Sequence, residues 1–177
     1  ETFLEVVENS CNPGFVVMGQ RLGAETLFRY IREFGFGTKT GIDLAGEENG
    51  ILFKPERIGP VELATTSFGQ GVSVTPIQQV MAVSAAINGG NLYRPHVAKA
   101  WIHPETGETV ERIEPVLVRS GIISGETSRK VREALESVVA KGTGRNAFIE
   151  GYRVGGKTGT AQKVVNGRYS PTEHIVS

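Results

Sequence analysis

The stretch Tyr152-Arg-Val-Gly-Gly-Lys-Thr-Gly-Thr-Ala-Gln-Lys-Val-Val165, followed by Asn166-Gly167, decides how the chain is read. It reads as one extended strand over 152–165, with Gly155, Gly156 and Gly159 inside it. Asn-Gly is the strongest short hairpin signal, because both central residues of the tightest hairpin turn need positive φ. Arg168 to Ser177 then begins a partner strand. The same stretch holds a decoy. Gly151-Tyr-Arg-Val-Gly-Gly156-Lys157-Thr158 fits the phosphate-loop pattern G-x-x-x-x-G-K-T. That chemistry needs a helix after the loop, whose amides cradle phosphate. Here Thr160 to Val165 reads as strand and then turn, which argues against nucleotide binding. Gly142-Thr-Gly144-Arg-Asn-Ala147 is a second decoy, better explained as a helix C-cap and turn.

Upstream of this strand the chain alternates between helices and irregular, glycine-rich segments. Ser124 or Thr127 is expected to cap a helix running to Ala140, with Val131, Leu135, Val138 and Val139 on one stripe. Glu126–Lys130, Arg129–Glu133 and Arg132–Glu136 form i,i+4 pairs on its outer surface. Thr75-Pro76 starts another helix, a hydroxyl cap followed by proline at the first helical position. Ile77, Val80, Met81, Ser84 and Ile87 are its predicted inner face, and Gly89-Gly90 ends it. Ala24 to Phe34 is helical, with Leu27, Ile31 and Phe34 at i, i+4, i+7. Glu1 to Glu8 reads as the tail of a helix and Phe15 to Leu22 as a short one. Residues 35–59 form an irregular excursion, in which Glu47-Glu48 is a solvated acidic pair. Ala64 to Gly71 is small and polar and is read as a loop. Residues 92–117 are expected to form a projecting β-hairpin around Pro104-Glu105-Thr106-Gly107, with Trp101 in its first strand. The fold class is mixed α and β, one partial domain over 1–177.

Composition excludes several classes. With 177 residues and a formal net charge of zero, no basic face advertises nucleic acid or an anionic membrane. The 39% hydrophobic share argues against disorder. No run of apolar residues is long enough to span a bilayer. The one cysteine, Cys11, excludes an internal disulfide and a multi-cysteine zinc site. His96, His103 and His174 lack ligand spacing, so no metal or cofactor is expected.

Two short motifs carry the chemistry. Ser10-Cys11-Asn12 lies in a turn between helices, and Lys157-Thr158-Gly159-Thr160 lies in the glycine-rich strand. Asn12-Pro13 alone also fits a helix cap followed by a first-turn proline. In this order and context the two motifs resemble active-site elements of penicillin-recognising serine transpeptidases, whose set includes S-x-x-K, a Ser-x-Asn-type turn and K-T-G. Ala64-Thr-Thr-Ser-Phe-Gly-Gln-Gly-Val-Ser-Val-Thr-Pro-Ile-Gln78 looks like the segment before a core helix in class B penicillin-binding proteins. Gly156-Lys-Thr-Gly-Thr-Ala-Gln-Lys163 looks like their active-site strand. Asn9-Ser-Cys-Asn-Pro-Gly-Phe15 is most similar to the stage V sporulation and division-type members.

The resemblance implies helices packed on an antiparallel sheet, as in serine β-lactamases. It also implies a peptidoglycan DD-transpeptidase, acylated by the D-Ala-D-Ala end of a stem peptide and by β-lactams. By the same resemblance, Ser10 would pass a proton toward the leaving amine. Lys157 would hold the local field positive and orient Ser10. Asn12 would donate to a substrate carbonyl, and Thr158 would bond the terminal carboxylate beside that cation. Gly159 would let an extended peptide lie along the strand. The Thr160 amide would be an oxyanion donor. The parent protein would sit at the outer face of the bacterial membrane, anchored outside this segment. Cys11 is expected to pack, with no histidine near it in sequence to activate a thiol.

One element of the set is missing. No serine in the chain is followed three positions later by lysine. The chain is therefore expected to be the middle of a transpeptidase domain, truncated at both ends and inactive alone. An incomplete sheet would leave an exposed edge open to self-association. A binding module that senses muropeptide or β-lactam without turnover remains open, as does a β-lactamase or carboxypeptidase relative.

Overall fold

The computed structural model describes residues 1–176. In chain order its helices are α1 (Phe3–Glu8), α2 (Asn12–Leu22), α3 (Ala24–Glu33), α4 (Pro60–Ser67), α5 (Pro76–Ile87) and α6 (Gly125–Ala140). Its strands are β1 (Leu92–Tyr93), β2 (Ala100–Ile102), β3 (Thr109–Arg112), β4 (Leu117–Arg119), β5 (Thr160–Val165) and β6 (Arg168–Val176). Among the described residues the strands form three two-stranded antiparallel ladders, β1–β4, β2–β3 and β5–β6. The chain divides into two units. One comprises Glu1–Phe28, Phe53–Val72 and everything from Arg129 onward; the other comprises Arg29–Leu52 and Ser73–Ser128.

In the first unit, local chemistry sets each element. α1 is a complete short helix and not the tail of one. The Thr2 hydroxyl accepts from the Glu5 amide at 3.3 Å, and the Glu5 carboxylate accepts from the Thr2 amide at 2.7 Å. α2 lies against α4 at Gly19, where an added Cβ would stand 1.8 Å from Ser67 Oγ. Only glycine allows that approach.

α4 corrects the reading of Ala64 to Gly71 as a loop, since helix runs through Ser67. Pro60 opens it, and Glu62 reaches back to the Gly59 amide at 2.9 Å. The polar residues that suggested a loop bond back inside the helix: Thr65 Oγ1 to the Val61 carbonyl at 3.0 Å and Ser67 Oγ to the Leu63 carbonyl at 2.6 Å. Val6, Phe28, Ala134, Val138 and Val139 are this unit's buried apolar side chains.

β5 and β6 close through Asn166 (φ 51) and Gly167 (φ 75), with Val165 opposite Arg168. Positive φ at both positions is the turn that Asn-Gly predicts. The strand itself is shorter than expected, because the ladder starts at Thr160, opposite Val176. Before that point the chain is tied to α6 instead of to a strand: the Gly156 amide donates to the Leu135 carbonyl at 3.2 Å.

In the second unit, Met81, Ala85, Leu92 and Ile122 form the core, with Tyr30, Phe34 and Ile123 packed on it. α5 begins as the sequence indicates, with Thr75 and Gln78 in a reciprocal capping box. Its buried face is rotated from the predicted one. Gln78, Met81, Ala82 and Ala85 are buried, while Val80, Ser84 and Ile87 are exposed and Ile77 is half-buried.

Gln78 is the cause of the rotation. Its side chain is 0% exposed. Nε2 donates to the Thr38 carbonyl at 2.7 Å and the Asn49 carbonyl at 2.9 Å, and Oε1 accepts from the Thr75 amide at 2.9 Å. A polar residue thus takes an inner position that a hydrophobicity pattern assigns to its neighbours.

Glu47 is likewise not a solvated charge. Its carboxylate accepts from the amide and hydroxyl of Thr40 and from the Gly41 amide at 3.0 Å. Partial burial pushes its pKa up, but these bonds outweigh it and hold the carboxyl below the ordinary value. Residues 92–119 form nested antiparallel pairs, Leu92 opposite Arg119 and Trp101 opposite Glu111. Ser124, and not Thr127, caps α6, its hydroxyl accepting from the Thr127 amide at 3.0 Å.

Candidate active site

Between α1 and α2 the chain has no slack. α1 ends in a Schellman arrangement: the Cys11 amide donates to the Val6 carbonyl at 3.0 Å and the Ser10 amide to the Val7 carbonyl at 3.3 Å. Ser10 occupies the left-handed position of that motif, at φ 55. Glycine usually stands there. A serine costs roughly 1 kcal/mol or more, the kind of backbone strain that concentrates at functional sites. Cys11 is already the N-cap of α2, half-buried and a free thiol. Asn12 is the first helical residue, exposed, and no side-chain capping bond is made at this helix start. The capping alternative for Asn12 therefore does not hold, and its amide is left for other work.

The second motif arrives from α6. After Gly156 is fixed on Leu135, the Lys157 side chain turns back to the α1–α2 junction. Lys157 Nζ donates to Ser10 Oγ at 2.7 Å across 147 positions of sequence, and to the Thr158 carbonyl at 2.8 Å. Desolvation against the groove wall holds the Lys157 pKa below the usual lysine value. With a carbonyl and a hydroxyl as partners, this ammonium has no carboxylate to neutralise it among the described residues and keeps an N–H for a ligand.

Ser10, Asn12, Lys157, Thr158, Gly159 and Thr160, the six residues singled out from sequence, all line one cavity of about 630 Å³. The sequence reading missed its remaining walls: Phe15, Ser67, Phe68, Gln70 and Thr143. Phe15 follows the first motif by three residues and a turn of α2. Ser67, Phe68 and Gln70 belong to the segment noted above for its resemblance, but nothing local says which way they face. Thr143 sits inside the second decoy and carries no signal of its own. Its hydroxyl lies 2.9 Å from that of Thr158.

Chemically, this is a groove with a cation at its centre, a hydroxyl held on that cation, and a row of small groups along one wall. It can seat an anion beside Lys157 and pass a proton through Ser10. An extended backbone can also lie past Gly159.

Known proteins resemble this chain in sequence and in fold. Residues 1–177 match the family described as penicillin binding protein transpeptidase domain. The chain is 68% identical over 177 residues to stage V sporulation protein D of Bacillus subtilis, covering all of this chain and 27% of that protein. It is 34% identical over 191 residues to a peptidoglycan D,D-transpeptidase FtsI homolog of Mesostigma viride, covering 98% of this chain and 31% of that one. The crystal structure of penicillin binding protein 3 from Mycobacterium tuberculosis, complexed with ampicillin, superimposes with a TM-score of 0.90 at 32% identity. That match covers 99% of this chain and 40% of the other. The chain thus spans between about a quarter and a third of the length of these curated relatives. The family match runs over all of residues 1–177 and the fold agrees with it, so the chain belongs to the penicillin-binding protein transpeptidase domain family.

Proposed function

We propose that this chain forms one wall of a peptidoglycan D,D-transpeptidase site, the wall that anchors the substrate carboxylate and handles the proton. The bond from Lys157 Nζ to Ser10 Oγ at 2.7 Å is the observation that carries the reading. In acyl transfer a nucleophilic serine attacks the D-Ala-D-Ala carbonyl and the terminal D-alanine leaves as an amine. That amine needs a proton, and Ser10, polarised by Lys157, delivers it. The Lys157 charge and the Thr158 hydroxyl seat the terminal carboxylate, and Asn12 holds a substrate carbonyl. The Thr160 amide donates to the developing oxyanion, a contribution of about 10²–10³ in rate for one such donor. A β-lactam enters the same groove, its carboxylate standing for that of the peptide.

The nucleophile of this reaction lies outside these 177 residues, because no serine here has the paired lysine. The isolated chain is accordingly expected not to be acylated. Incubating it with a fluorescent penicillin, beside the full-length protein, tests this in one gel. A labelled full-length band and an unlabelled fragment support the reading; covalent label on the fragment refutes it.

The parent protein is expected at the outer face of the bacterial membrane, where its substrate is. No helix among the described residues is long and apolar enough to cross a membrane, so an anchor would lie elsewhere in the protein. Among the described residues β5 and β6 pair only with each other. Their free edges are where a second copy of the isolated chain would add, which sedimentation of the fragment tests.

A further inference from the structure

Thr143 is held more firmly than a groove-lining residue needs to be. Its amide donates to the Glu8 carbonyl at 3.0 Å. Gly142 beside it lies so close to Glu8 that an added Cβ would stand 2.3 Å from that carbonyl oxygen. The Ser137 hydroxyl bonds the Glu8 carboxylate, fixing the same junction from the other side. Glu8 is the last residue of α1, two positions before Ser10. The segment after α6 is therefore locked to the turn that carries Ser10, and the Thr143 hydroxyl projects from that lock to Thr158 Oγ1 at 2.9 Å.

Two hydroxyls in contact share one hydrogen. Whichever donates, the other keeps its own hydrogen, and a hydroxyl that accepts one bond while donating another is the stronger donor. Both groups face the cavity that Lys157 lines. Free of Thr143, the Thr158 hydroxyl would turn among several rotors. With Thr143 donating to it, the remaining Thr158 hydrogen has one useful direction, into the groove beside the ammonium.

We infer that Thr143 is a positioning residue for carboxylate recognition: it acts through Thr158, aiming that hydroxyl at the carboxylate of the stem peptide or β-lactam. The inference rests on the functional reading above and deepens it. It selects for ligands that carry the anion, and it leaves the chemistry of acylation itself untouched.

The test uses the full-length protein and two ligands, a penicillin and its methyl ester. The quantity read is the ratio of their second-order acylation rate constants. Thr143→Val is expected to lower the acid-over-ester preference about tenfold, the scale of one hydrogen bond to a charged group. Thr143→Ser is expected to restore it. In a Thr158→Val background, Thr143→Val is expected to add nothing to the loss of preference. Equal losses for acid and ester, failure of serine to rescue, or an additive effect in that background overturn the inference while leaving the functional reading intact. A wild-type protein acylated by neither ligand overturns the functional reading and this inference with it.

Discussion

Gln78 and Lys157 are both polar side chains on which many others depend, and they are built in opposite ways. Gln78 is buried and saturated, its amide bonded to Thr38, Asn49 and Thr75. Lys157 is exposed, bonded to a hydroxyl and a carbonyl, and retains unused donor capacity. A buried polar group left without partners costs a full desolvation penalty, so evolution completes its shell or removes it. A groove residue with a complete shell could bind nothing. The contrast predicts a division of labour: changes at the Gln78 node lower stability, and changes at the Lys157 node lower activity.

The largest effect is expected at Lys157. Lys157→Met in the full-length protein should slow acylation by penicillin about 10²–10³-fold, because the charge that seats the carboxylate and polarises Ser10 is gone. Its melting temperature should stay the same or rise slightly, since the folded state disfavours this ammonium through desolvation. Stopped-flow acylation and thermal unfolding on one preparation check both halves. A large loss of stability would break the contrast.

Gln78→Ala should do the reverse. It leaves the Thr38 and Asn49 carbonyls without their donor and opens a void under the 38–50 segment. The two carbonyls sit in part-buried bonds, so the cost lies toward the lower end of about 2–6 kcal/mol, at ~1–3 kcal/mol for each orphaned group. Denaturant unfolding of the full-length protein measures it. The acylation rate of the fraction that remains folded should change by less than about twofold, as expected of a residue that does not line the groove. A rate loss comparable with that of Lys157→Met would mean the node also serves the groove.

What the sequence reveals about these two regions follows from how local each signal is. The start of α5 is legible because Thr75, Pro76 and Gln78 are adjacent and their bonds are made within one turn. The Asn166-Gly167 turn is legible for the same reason. The inner face of α5 is not, because Gln78 is buried by partners 29 and 40 positions away. α4 is masked by Thr65, Thr66 and Ser67, whose hydroxyls favour loops in general; here those of Thr65 and Ser67 bond back into the helix, and that of Thr66 is buried without a partner among the described residues. The groove divides likewise. Ser10 and Lys157 are found because a family motif names them, although 147 positions separate them. Thr143, Phe68 and Gln70 have no motif, and only the fold brings them to the same cavity. Residues 152–159 read as strand but are unpaired up to Thr160, because glycines lying on α6 have the composition of an extended edge.

Asp43 decides which property of the contrast matters, because it is exposed like Lys157 and bonded like Gln78. Its carboxylate accepts from the Ala98 amide at 2.8 Å and the Val97 amide at 2.8 Å. These two bonds, that from Ala98 first, hold its pKa below the ordinary aspartate value. A carboxyl whose folded-state pKa is depressed adds stability above its unfolded-state value, and that stability disappears as pH falls through the lower, folded-state value. Asp43→Asn keeps the shape but accepts through one oxygen only. The variant should therefore unfold at a slightly lower temperature near neutral pH, and the difference should shrink toward zero in strong acid. The shift is small because the site is open to solvent. Acylation should not change. If that is the outcome, a complete hydrogen-bond shell marks a structural residue whether or not it is buried, and the unfilled shell around Lys157 is the feature that identifies a binding group. If Asp43→Asn slows acylation and leaves the melting curve alone, exposure is the better guide, and the 95–98 segment has to be counted with the groove.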